Sequence, residues 1–98
     1  MTRRSTPKRN HDEHRFPVKV RFRVESERPD WSLRYQAMHD WLMAEVGVER
    51  HAVHADSVPG IHCFAVYLED VETARRLVHA VGMEPMLLTE EERAVFRW

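Results

Sequence analysis

Seven histidines and one cysteine, Cys63, are the residues of this chain best suited to chemistry, and their spacing limits what they can do. His11 and His14 bracket Asp12 and Glu13 in a polar stretch that offers nothing to orient an imidazole. His51 and His54 lie three apart in a β-prone stretch, where residues at that spacing point to opposite faces. No second cysteine accompanies either pair, so the ligand pattern of a structural zinc site is missing, and no metal or cofactor is expected. His54 with Cys63 resembles a base beside a thiol nucleophile, because a hairpin would bring their strands together. The register offsets them by one pair, however, and a small buried cysteine is more often core than nucleophile. His39 and Asp40 are adjacent on a helix and diverge. The glycines, Gly47, Gly60 and Gly82, all fall at helix ends or turns, leaving no phosphate-binding loop. No catalytic residue is assigned, and the chain reads as non-enzymatic.

Binding chemistry is better represented. From Phe16 to Glu25 the sequence alternates, with Phe16, Val18, Val20, Phe22 and Val24 on one side and Lys19, Arg21 and Arg23 on the other. His54 and Tyr67 are expected on the same face as that basic row. The five residues Lys19, Arg21, Arg23, His54 and Tyr67 form a candidate contact for an acidic protein or a nucleic acid, with the arginines as multidentate donors and Tyr67 as an apolar anchor. The segment 1–15 adds Arg3, Arg4, Lys8, Arg9 and Arg15 against Asp12 and Glu13, a formal +3 that leaves −4 for the rest of a chain whose total is −1. A mobile basic arm gains phosphate affinity by counterion release, although solvated charged tails are common.

The elements that must position these residues are organised around Ile61–Gly82. Ile61 to Leu68 reads as a strand with Phe64, Val66 and Leu68 on one face and Cys63, Ala65 and Tyr67 on the other. Asp70 is a good N-cap and Gly82 a good terminator for a helix whose stripe is Val71, Ala74, Leu77, Val78 and Val81. Upstream, Asp30 is an N-cap candidate for a helix carrying Trp31, Tyr35, Met38 and Leu42, which Gly47 would close in the left-handed conformation. Val48–Ser57 and the turn signal Pro59-Gly60 predict a hairpin. With a two-residue turn, Ala55 lies opposite Phe64, Val53 opposite Val66, His54 opposite Ala65 and Asp56 opposite Cys63. Met83–Leu88 supplies a final edge strand around Pro85.

This order predicts an α+β, ferredoxin-like βαββαβ fold, a four-stranded antiparallel sheet with two helices on one face, plus a short C-terminal extension. The expected organisation is a disordered basic arm over 1–15, the domain over 16–88 and the extension over 89–98. With 98 residues the chain has room for one small core. Ile61, Cys63, Ala65 and Tyr67 are unusually apolar for a solvated sheet face, so that face should be covered. The candidates are the chain's own acidic-then-aromatic tail (Glu90, Glu91, Glu92, Phe96, Trp98), a second copy or another partner. The alternative function is a homodimer with facing sheets that binds or transforms a small molecule near His54, Cys63 and Trp98. One cysteine and no long apolar run suit a cytoplasmic protein with no membrane association.

The strong first strand, the AMHDWL segment (Ala37–Leu42) and the hairpin followed by strand and helix resemble a set of small uncharacterised bacterial ferredoxin-like proteins with no assigned function. The resemblance covers Phe16 to about Gly82 and implies the fold without implying an activity. The row Lys19, Arg21 and Arg23 also invites comparison with RNA-recognition domains. Those need stacking aromatics on the two central strands, and here only Tyr67 qualifies. SERPD, Ser26 to Asp30, likewise lacks the glycines of an acylphosphatase-type anion loop.

Overall fold

The computed structural model of the chain describes residues 15–87. The expectations for the arm before Arg15 and for the tail, with Glu90 to Glu92, Phe96 and Trp98, lie outside the described residues. Three strands, β1 (Val18–Arg23), β2 (His51–Ala55) and β3 (Cys63–Leu68), form an antiparallel sheet in the order β1-β3-β2. Two helices, α1 (Trp31–Trp41) and α2 (Val71–Val81), pack on one face of it. The fold is α+β.

The turn chemistry sets the hairpin. Pro59 and Gly60 form the two-residue connection, closed by reciprocal backbone hydrogen bonds between Val58 and Ile61 at 3.1 and 3.0 Å. Gly60 supplies the positive φ, 80°, that such a turn requires. The register then follows without a bulge: Ala55 faces Phe64, His54 faces Ala65 and Val53 faces Val66. These are the pairs that the spacing predicts, and Asp56 donates its N–H to the Cys63 carbonyl at 3.0 Å. On the helix side, Val20, Phe22, Phe64, Val66 and Leu68 meet Met38, Leu42, Ala74 and Leu77 in one buried cluster.

Four expectations need correction. The sheet has three strands among the described residues, not four. The segment after α2 runs beside β1 but makes one backbone bond to it, Met86 N–H to Arg21 O at 2.7 Å. Bonded residues alternate along a strand, so Pro85 would point away from β1, and Leu88, the next residue in phase with Met86, lies outside the described residues. Phe16 does not continue the alternation onto the helix side. It is buried with Ala65 and Tyr67 on the opposite face, because the ladder begins at Val18 and Pro17 lets the chain leave it. Asp30 occupies the N-cap position of α1 without capping it. Its carboxylate accepts from Arg34 Nε at 2.9 Å and Arg28 Nε at 3.3 Å, and the bond from Arg34 holds its pKa below the usual range. Gly47 ends the first helix at a positive φ that favours glycine, but at φ 101° and ψ 151°, outside the left-handed helical basin expected for it. The last turn, Leu42–Val46, is wound as a π-helix, with Gly47 N–H donating to Leu42 O at 2.8 Å.

The second helix is built as the sequence predicts. Asp70 caps it by accepting from the Thr73 N–H at 2.7 Å, and Gly82 ends it. That backbone hydrogen bond holds the Asp70 carboxyl below its ordinary pKa. Because the folded-state value is depressed, the contribution is present above the unfolded value and is lost as pH falls through the folded one. Replacing Asp70 with Ala should cost about 1 kcal/mol in urea unfolding at neutral pH. Asp70→Asn should keep the cap and lose less stability than the native chain between neutral pH and about pH 3.

Candidate functional site

Two surfaces of the sheet bear on function, and the first is the face away from the helices. Lys19, Arg21 and Arg23 on β1 lie opposite Tyr67, Ala65 and Cys63 on β3, with β2 beyond. Strands one removed are roughly 10 Å apart, too far for a short side chain. Because Ala65 and Cys63 are small, Arg21 spans the central strand and donates Nε to Asp56 Oδ2 at 2.7 Å. Lys19 Nζ lies 3.4 Å from the same oxygen. The Arg21 and Asp56 side chains keep only 12% and 6% of their exposure, so this is a largely dehydrated ion pair. Tyr67 is fully buried, with the Lys19 ammonium 5.7 Å from its ring centroid and the His54 ring edge-on at 5.5 Å. Phe16 closes over Tyr67 and Ala65, and the Arg15 guanidinium sits 4.9 Å above the Phe16 ring.

Of the five residues expected to form a contact, the structure therefore gathers Lys19, Arg21, His54 and Tyr67 into one layer around Asp56 and leaves Arg23 exposed. Asp56 is the member that sequence reasoning missed as a site residue. Its signal was its position opposite Cys63, on the face of the basic row and across small residues from it.

Cys63 is buried, with its thiol 3.7 Å from Met86 Sδ, while His54 turns toward Tyr67. His51 Nδ1 bonds to Gly47 O at 2.7 Å, so the two β2 histidines serve opposite faces. Among the described residues no group of three or more His, Cys, Asp or Glu side chains could hold a metal ion. None of their helices is long and apolar enough to cross a membrane.

The second surface is the β2 edge. Near the Pro59-Gly60 turn the hairpin outreaches the helix layer, leaving an open groove of about 430 Å³. Its floor is Val24, Val53, Ala55 and Phe64, its wall Trp31 and Tyr35 of α1, and its rim Ser57 and His62. The wall is preset: Trp31 stacks on Tyr35 with centroids 5.8 Å apart, and both rings meet Phe64 edge-on. The Ser57 hydroxyl oxygen accepts the Cys63 N–H at 3.3 Å and keeps its own proton to donate.

The backbone of β2 faces this groove in a definite way. The bonds Val58–Ile61 and Asp56–Cys63 mark the pairs joined to β3, and hydrogen-bonded pairs recur every second residue, so Ala52 and His54 also point their backbone groups inward. His51, Val53 and Ala55 point theirs outward, and their side chains lie on the helix side. The strand HAVHA carries no Lys, Arg, Asp, Glu or Pro, the residues that usually protect an edge.

No protein-family model, no curated protein and no solved structure matches this chain.

The charge layer generates a direct stability test. Asp56→Asn leaves the largely buried Arg21 cation without its counter-charge and should cost about 3 kcal/mol in urea unfolding. Arg23→Ala, at an exposed position, should stay within about 0.5 kcal/mol of the native chain. A similar loss for both would mean that Arg21 and Asp56 are not held as a pair.

Proposed function

We propose that this protein is a non-enzymatic interaction module on a ferredoxin-like scaffold, and that it binds an extended protein segment along the β2 edge. The observation that carries this reading is the coincidence of an uncharged, outward-facing edge with an aromatic-walled groove. Main-chain hydrogen bonds to Val53 and Ala55 supply affinity in strand addition, and pockets for alternate side chains supply selectivity. A strand added here pairs with Val53 and Ala55. The side chains directly opposite them fall on the helix side, against Trp31 and Tyr35. The groove is open, which suits a side chain delivered by a neighbouring strand better than a small molecule that must bury most of its surface.

A synthetic strand-forming peptide of alternating Phe and Thr tests the mode of binding. Titrated into isotopically labelled protein, it should shift the amides of Val53 and Ala55 and the Trp31 indole N–H. Val53→Pro removes the outward N–H at a position where an edge strand tolerates proline, and should abolish those shifts while the rest of the spectrum is kept. Shifts confined to the opposite face would defeat this reading.

A second reading keeps the acidic protein or nucleic acid expected from the basic row. It is favoured by Arg23 and Arg15, both exposed at the margins of the charge layer. Under it, Arg15→Glu combined with Arg23→Glu should lower retention on a heparin column without changing the melting temperature by more than ~2 °C. Unchanged retention would remove these two arginines from any polyanion contact.

A further inference from the structure

We draw no further inference here: the strongest candidate, the open hollow between the end of α1 and α2 where the Arg76 guanidinium sits 5.4 Å from the Trp41 ring centroid, carries nothing, because Arg76 is already paired with Glu45 at 3.2 Å and nothing in the structure shows what covers the hollow.

Discussion

Burial of β3 on both faces is the constraint on which the rest of this small structure depends. All six of its residues, Cys63 to Leu68, are buried, yet among the described residues α1 and α2 pack on only one side. A central strand with one helix layer would ordinarily alternate between apolar and polar residues. This one does not, and the second face has to be closed by other means. Phe16 provides apolar cover over Ala65 and Tyr67. Arg21 lays its aliphatic stem and guanidinium over Ala65 toward Asp56, combining packing with charge neutralisation. The small side chains at Cys63 and Ala65 have a structural role, because larger ones would keep the β1 cation from the carboxylate of Asp56, just after β2.

That solution ties charge to packing. A basic row on a sheet face looks like a surface waiting for an anion, and in part it has one within the chain. The Arg21–Asp56 pair is held in a setting where the desolvation of each ion is offset only while the other is present. Lys19 shares the carboxylate and lies near the face of Tyr67, so three of the five residues of the expected contact serve the interior of the protein. Arg23 stands in the same row as Asp56, across Cys63, yet it is exposed, and the carboxylate is bonded by Arg21 from the neighbouring row. The same alternation therefore produces both a structural cation and an exposed one.

Much of this was legible in the sequence, for identifiable reasons. The hairpin register follows from Pro59-Gly60, since a two-residue turn leaves no freedom once the strands alternate. The second helix follows from Asp70, Gly82 and a regular apolar stripe between them. The failures occur where a local signal meets a tertiary competitor. Asp30 has the identity of a cap, but Arg34 one turn along takes its carboxylate. Phe16 has the right parity for the helix side, but parity holds only inside the ladder, and Pro17 stands outside it. The fourth strand was read from Met83 to Leu88, and a single bond at Met86 is what the described segment contributes. The groove had no sequence signature because it arises from the difference in length between the hairpin and the helix layer.

The two properties of the β2 edge are not independent, which is what makes it a better candidate than a chance hollow. In an antiparallel sheet, side-chain parity and backbone direction are locked together within one strand. Once the turn assigns Asp56 and Val58 to the pairs bonded to β3, Val53 and Ala55 must face outward with their backbone groups and toward the helices with their side chains. The residues that would hydrogen-bond an incoming strand are therefore those that floor the groove beneath Trp31 and Tyr35. Any segment that pairs there is obliged to present every second side chain to that aromatic wall. A one-residue change in the hairpin turn would turn Val53 and Ala55 inward to β3 and onto the charge layer, and put Ala52 and His54 in the outward, helix-side positions instead. The geometry of the β2 edge is thus set by the same two residues, Pro59 and Gly60, that set the hairpin.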